Sequence, residues 1–280
     1  MLAQCKGKDL NKVPQSKLGN EFYASIKYDG HYCQIHKIGD EVKFYTSGGK
    51  EFYLENIAEE LVNLNPLHDF IIEAEYIYTT SGKLGNRGKA ARLTTYRTDF
   101  EKGIVNVASD KERFKVFDII TDKPMIFEDR LWELQKLNLG THCELVDYLG
   151  PYDLSICKAI AKSKVKKGYE GLYLKAPSHI YRAGKRVNDA IKLKLRPTAD
   201  LLCIDVEDGE GKYTGMIGSL VLKDSKGRVV RVGSGLSDID RAIRKEAWIG
   251  AIIEIEYEQI LDTYIQPTYV GIRNDKKEID

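Results

Sequence analysis

The chain has 280 residues, with 43 Lys+Arg against 42 Asp+Glu for a net charge of +1, and is 42% hydrophobic, 10% aromatic and 30% charged. That composition suits a folded chain with a sizeable core and excludes a disordered or collagen-like one. No stretch approaches the roughly 18 uninterrupted apolar residues of a membrane helix, and Lys6 and Lys8 are followed by no apolar run, so a soluble chain without membrane partners is expected. The five cysteines are scattered and never form a C-x-x-C pair, which speaks against a disulfide framework or zinc ribbon and fits a reducing cytoplasm.

Residues 21–30 and 31–46 alternate as strands do, with a turn at Gly39-Asp40. Asn56 to Leu64 spaces Ile57, Leu61 and Leu64 as a helix, and residues 70–77 read as a buried strand whose Glu73 and Glu75 share a face. Residues 81–97 are Gly-rich and basic, Phe114 to Ile120 is a short apolar strand, and Glu128 to Leu137 a helix with Leu131 and Leu134 on one side. Beyond Arg196-Pro197-Thr198 the texture changes to about five short strands with one helical stretch near Asp238 to Glu246, which suits a small oligonucleotide-binding barrel. Proline ends the preceding strand there and stiffens a linker, placing a boundary between residues 1–196 and 197–280.

Charge is unevenly spread: residues 1–160 carry −3, 161–197 carry +9 and 198–280 carry −5. A lysine-rich island is either a solvated face or a polyanion-binding one. Inside it, Glu170-Gly171-Leu172-Tyr173-Leu174-Lys175 puts a carboxylate and a lysine on one strand, and Lys192 and Lys194 share a face at period two. Burying the intervening apolar residues leaves Lys175, Lys192 and Lys194 projecting together, where a phosphate would sit and a neighbouring lysine's pKa would fall.

Lys27-Tyr28-Asp29-Gly30 sets a lysine beside a carboxylate and a glycine that admits a ligand to the backbone. A free lysine, pKa near 10.4, is only about 0.04% neutral at pH 7, so a nucleophilic one needs cations or a metal nearby. Alone, K-x-D-G is also a common surface turn. Near the other end stands Arg273-Asn274-Asp275-Lys276, an R-x-D-K otherwise read as a charged tail. All three strings fall in one chain of this composition by chance at roughly 0.4%, so coincidence is the weaker explanation.

In this order, Lys27 to Gly30, Glu73 to Glu75, Phe117-Asp118, Glu170 to Lys175, Lys192 to Lys194 and Arg273 to Lys276 resemble the collinear motifs of the covalent nucleotidyltransferases, which include ATP-dependent DNA ligases, RNA ligases and mRNA capping enzymes. Gly209 to Leu220 and Val232 to Asp238 resemble the DNA-ligase branch, and the two-domain length resembles the small ligases of bacteriophages and some bacteria. The resemblance implies an α+β chain: a nucleotidyltransferase (adenylation) domain of antiparallel sheets with helices, then a C-terminal OB-fold β-barrel. It implies ATP and Mg²⁺ (or Mn²⁺) as cofactors, nicked duplex DNA as partner, a monomer, and a cytoplasmic setting, the host's if the source is a phage. Lys27 would become the AMP-bearing nucleophile beside Asp29 and Gly30. Phe117 would stack on adenine, Glu75 meet the ribose or a metal, and Glu170 bind the divalent cation. Lys175, Lys192 and Lys194 would face phosphates, and Arg273 and Lys276 would orient the pyrophosphate.

Three positions depart from the family pattern. Tyr32 stands where arginine is usual, Ser25 where glutamate is frequent, and Thr46-Ser47-Gly48-Gly49 lacks the family's arginine. Tyr32 is either a nucleotide contact or a plain strand residue, and Arg87, Arg92 and Arg186 are candidates for the missing guanidinium. Arg87, Lys89, Arg92, Lys185, Arg186 and Lys212 are the expected DNA-backbone contacts. An RNA ligase or capping guanylyltransferase shares K-x-D-G, and a non-catalytic nucleic-acid-binding module would keep the barrel and the basic island. The barrel string favours DNA ligase, and the joint presence of Lys27, Glu75, Glu170, Lys192 and Lys194 exceeds what binding alone requires.

Overall fold

A computed structural model describes residues 1–79 and 91–280. Its first unit spans Met1–Leu195 and its second Arg196–Asp280. The first runs β1 (Lys6–Asp9), β2 (Glu21–Ile26), β3 (His31–Ile38), β4 (Glu41–Thr46), β5 (Glu51–Phe52), α1 (Glu55–Leu64), β6 (Phe70–Tyr78), α2 (Ala91–Glu101), β7 (Glu112–Ile120), α3 (Phe127–Lys136), β8 (Cys143–Leu145), β9 (Leu149–Asp153), α4 (Leu154–Lys166), β10 (Gly171–Lys175) and β11 (Arg186–Lys194). Two sheets result, one in the order β1-β11-β10-β2-β9 and the other β5-β4-β3-β6-β7-β8.

Period-two alternation gives each sheet an apolar face and a polar one. In the first sheet Ala24, Leu172, Leu174, Ile191 and Leu193 bury against Cys157 and Ala161 of α4. Helix α4 begins where the Asp153 carboxylate accepts the Ile156 N–H. In the second sheet Ile35, Phe44 and Ile72 bury against Ile57, Ala58 and Leu61 of α1. Each fully buried aliphatic or aromatic side chain contributes about 1.5–3 kcal/mol. The turn between β3 and β4 falls at Gly39-Asp40, with Gly39 at φ +57° as a two-residue hairpin requires.

The second unit runs β12 (Thr198–Asp208), β13 (Ile217–Lys223), β14 (Val229–Val232), α5 (Asp238–Ala242), β15 (Ile252–Glu256), β16 (Gln259–Ile260), β17 (Tyr264–Ile265) and β18 (Thr268–Ile272). Five strands, ordered β14-β13-β12-β15-β18, wrap a core of Leu201, Leu220, Val232, Trp248 and Ile253. The ladder has a seam between β14 and β18, where the Tyr269 N–H donates to the Ser234 carbonyl at 2.8 Å and draws the edges together. Buried Arg241 holds the strand ends by donating to the carbonyls of Ile217, Gly218 and Gly233. Among the described residues no helix is long and apolar enough to cross a membrane.

Gly171 is the tightest point of the first sheet. Its φ is +144°, and a Cβ there would lie 3.1 Å from Lys194 Cα and closer still to the Leu193 carbonyl oxygen. Gly171→Ala is expected to lower stability by about 3 kcal/mol, read as a shifted denaturant midpoint at unchanged m.

Candidate active site

Strand register assembles the polar face of the first sheet. Ile26 pairs with Leu172, the Lys27 N–H donates to the Gly171 carbonyl at 3.0 Å, and Gly171 pairs with Lys194 on its other side. Lys27 and Lys194 therefore flank Gly171, and both ammonium groups bond the Glu170 carboxylate, at Oε2 and Oε1 respectively. Burial alone would raise the Glu170 pKa, but its bonds to Lys194 and Lys27 outweigh that and hold it below the usual range. Lys192 lines one cavity with Lys27. Burial, and then the charges of Lys27, Arg186 and Lys194, depress its pKa against the pull of Asp9.

Asp29 is exposed in the loop after Lys27, while Gly30 presses on β6. A Cβ on Gly30 would lie 2.8 Å from Ile77 Cγ2 and 2.9 Å from Glu75 Cγ, so only glycine lets the loop close and its N–H donate to Glu75 Oε1 at 3.1 Å. Across the cleft, Glu73 pairs with Asp118 and Ala74 with Val116, leaving Phe117 as the extra residue of a bulge. The bulge turns two successive residues, Phe117 and Asp118, into one cavity. That cavity holds about 370 Å³ between the two sheets and is lined by Lys27, Gly30, Tyr32, Glu75, Phe117 and Lys192 among others. Its size suits a nucleotide.

Part of its wall is a buried ionic group. Asp118 accepts from Arg130 Nε at 2.9 Å and Nη2 at 3.0 Å, and from Lys175 Nζ at 2.6 Å. Burial alone would raise the Asp118 carboxyl, yet the Lys175 and Arg130 charges hold it well below the usual range. Lys175 also donates to the Phe117 carbonyl at 2.8 Å. Its ammonium, expected from the period-two pattern to face a phosphate, is thus engaged with protein groups, because β7 of the opposite sheet supplies a closer anion.

Tyr32 is no bystander on its strand. Its hydroxyl bonds Glu73 and accepts from Gln34 Nε2 at 2.6 Å, its ring lies 6.3 Å from that of Phe117, and the Tyr181 hydroxyl donates to the same Glu73 oxygen at 2.7 Å. Burial, then the Asp118 charge, pushes the Glu73 carboxyl up to about 7 against the tyrosine hydrogen bonds.

The remaining expected residues are dispersed. Arg186 lines the cavity and Lys185 beside it is exposed. Arg92 is paired with buried Glu112 at 3.1 Å, and Arg87 and Lys89 lie outside the described residues. In the second unit Lys212 stands over the Tyr213 ring, and Arg273 and Lys276 bond Asp200. Sheet one also divides the basic island: Lys162, Lys164 and Lys166 belong to α4 on its apolar side, Lys192 and Arg186 to the cleft side. Among the described residues no group of three or more His, Cys, Asp or Glu is arranged to hold a metal by itself.

Arg130, Tyr181 and the short strand β1, whose Gly7 N–H donates to the Tyr173 hydroxyl at 2.9 Å, were not expected. Arg130 did carry a signal: it falls with Phe127, Leu131 and Leu134 on the buried stripe of α3, where a charge requires a partner.

Glu73 makes the site pH-sensitive. With its folded pKa near 7 against an ordinary 4.5, the folded state holds the extra proton, so this group's stabilisation is present below about pH 4.5 and is lost as pH rises to about 7. Glu73→Gln should therefore gain on the wild type across that window, by up to about 3 kcal/mol, in paired denaturant titrations at pH 4.5 and 7.5.

A family model described as the ATP dependent DNA ligase domain matches residues 1–194, and one described as a DNA ligase OB-like domain matches residues 208–273. A DNA ligase of Methanothermobacter thermautotrophicus is 26% identical over 245 residues, which cover 80% of this chain and 42% of that protein. The chain thus spans less than half the length of that relative. The fold is similar to that of a Lig E DNA ligase, solved in a study of DNA binding with a minimal scaffold (TM-score 0.54, 19% identity, 98% of this chain and 100% of the other). It is also similar to the ATP-dependent DNA ligase of bacteriophage T7 in complex with ATP (TM-score 0.54, 16% identity, 97% and 98%). A nucleotidyltransferase unit followed by an OB-like unit, each under its own family description, places this chain in the ATP-dependent DNA ligase family.

Proposed function

We propose that this protein is an ATP-dependent DNA ligase that seals nicks in duplex DNA through a Lys27-AMP intermediate. The carrying observation is the convergence of Lys27 and Lys194 on Glu170, with Lys27, Lys192 and Phe117 lining one cavity. In the first step Lys27 Nζ, having lost a proton, bonds the α-phosphorus of ATP as the bond to pyrophosphate breaks. The AMP then passes to an oxygen of the DNA 5′-phosphate, freeing Lys27. Finally the 3′-hydroxyl attacks that phosphate and displaces AMP. In-line phosphoryl transfer of this kind rests on positioning and charge neutralisation.

Phe117 offers its ring to adenine and Glu75 its carboxylate to the ribose, with Gly30 holding Glu75 in place. Lys192 and Lys194 balance phosphate charge, and Arg273 and Lys276 orient the pyrophosphate. Asp29, exposed beside the nucleophile, faces the DNA end. Lys175 acts from the cavity wall, by fixing Asp118 and the Phe117 backbone. Mg²⁺ is characteristically held by one or two carboxylates plus substrate phosphates, and Glu170, with Glu75 as the second candidate, fits that mode; the ion would neutralise the phosphates and draw Glu170 off Lys27. The chain would act as a monomer in the cytoplasm. Lys185, Arg186 and Lys212 are assigned to the DNA backbone, along with Arg87 and Lys89 of the basic 81–97 stretch.

Incubation with radiolabelled ATP and Mg²⁺ should label the wild type covalently and leave Lys27→Ala unlabelled, and a chase with nicked duplex should discharge the label with sealing. Label taken from GTP, or discharged only on RNA, would move the chain to a capping enzyme or RNA ligase, and no label from any nucleotide would leave a binding module. Nick affinity should fall between about 50 and 200 mM salt. Lys185→Ala and Arg186→Ala should each reduce the slope of log K against log salt by about 1, whereas Lys162→Ala, on the far side of the sheet, should leave it unchanged.

A further inference from the structure

The two cations of the R-x-D-K string converge on one carboxylate of their own unit. Asp200, on β12, is 3% exposed. Arg273 Nη1 lies 3.2 and 3.3 Å from its two oxygens, and Lys276 Nζ bonds its Oδ2. Arg273 is held further by Asp275, through Nε at 2.8 Å and Nη2 at 2.7 Å, and has Glu254 at 3.6 Å. Three carboxylates thus surround two cations, and the group carries −1. As it stands it is no site for a phosphate.

Asp200 is also fixed in place. Its N–H donates to Asp280 Oδ2 at 2.8 Å, its carbonyl accepts the Asp280 N–H at 2.9 Å, and it pairs with Glu254 across β12 and β15. Arg273 and Lys276 sit on long stems in the turn that follows β18. When these cations move to an anion, Asp200 stays behind, and a buried carboxylate stripped of its cations is strongly disfavoured.

We propose that Asp200 is a positioning residue that competes with pyrophosphate for Arg273 and Lys276, so that it slows formation and reversal of the lysine adenylate and leaves nick sealing alone. The inference rests on the reading that these two cations serve the pyrophosphate. Once pyrophosphate departs, Asp200 recovers both cations and makes their arrangement on it the resting one.

Asp200→Asn keeps the shape and an acceptor but removes the charge. Single-turnover transfer of label from ATP to Lys27 should accelerate about tenfold, the worth of one charged hydrogen bond. Discharge of the adenylate by added pyrophosphate should accelerate alike, while sealing of a pre-adenylylated nick keeps its wild-type rate. Loss of a merely structural contact would instead slow all three together with a lowered Tm. Asp200→Glu, which restores the charge, should return labelling toward the wild-type rate. If Asp200→Asn does not fold, Glu254→Gln serves, with an expected acceleration of about threefold. Labelling that is unchanged or slower in a folded variant overturns the inference. A wild type that takes no label, or Lys276→Ala labelling at the wild-type rate, overturns the underlying reading instead.

Discussion

Two sheets that share no hydrogen-bonded strand among the described residues form the first unit, and Asp118 is the charge that ties them. It stands on β7 of one sheet, accepts from Lys175 on β10 of the other, and is closed from the side by Arg130 of α3. All three residues are at most 2% exposed. A buried ion pair contributes little to stability against a well-packed apolar substitute, but removal of one partner strands a charge at several kcal/mol. What the group adds is geometry. Lys175 also grips the Phe117 carbonyl, so the link that spaces the sheets sets the bulge that aims Phe117 into the cavity.

The meeting of the two lysines follows from a narrower constraint, the absence of a side chain at Gly171. Antiparallel register brings Lys27 from β2 and Lys194 from β11 to either side of that glycine, and Glu170, the residue before it, receives both ammonium groups. The string E-G-x-x-x-K is thus two devices in one segment. Its first two residues gather the lysines, and its last enters the cavity wall and locks the opposite sheet. Gly30 does for the K-x-D-G loop what Gly171 does for the strand, by letting backbone approach β6 closely enough to bond Glu75.

The sequence makes legible what is decided within one strand or one motif: the hairpin at Gly39-Asp40, helix α1, the shared face of Lys192 and Lys194, and the change of texture after Arg196. What requires two strands far apart in sequence is not legible. The period-two pattern puts Lys175 on the polar face correctly, but whether a polar face meets phosphate or an aspartate of the other sheet depends on packing. The basic island reads as one cluster in a line of text, yet sheet one passes through it and sends the α4 lysines away from the cleft. Tyr32 reads as a departure from a pattern, and only the facing strand reveals Glu73 as its partner. The strand β1 carries no signal of its own, since its parallel partner β11 lies far along the chain.

Charge balance in the two units orders the proposed reaction. Lys27 and Lys194 share the single carboxylate of Glu170, and Lys192 adds a third cation beside them, so on the proposed reading the first unit would attract a polyphosphate first. Around Arg273 and Lys276 the carboxylates are in excess, so the second unit offers it nothing until an anion strong enough to displace Asp200 is already bound. On the proposed reading, ATP docked on the lysines of the first unit would supply that anion, in the form of its β- and γ-phosphates. The R-x-D-K cations would then be recruited by the bound nucleotide instead of capturing it, and would be released when the pyrophosphate that drew them is gone. On this argument the buried Asp200 separates the adenylylation step from the sealing steps, because it decides when two of the protein's cations are available and when they are not.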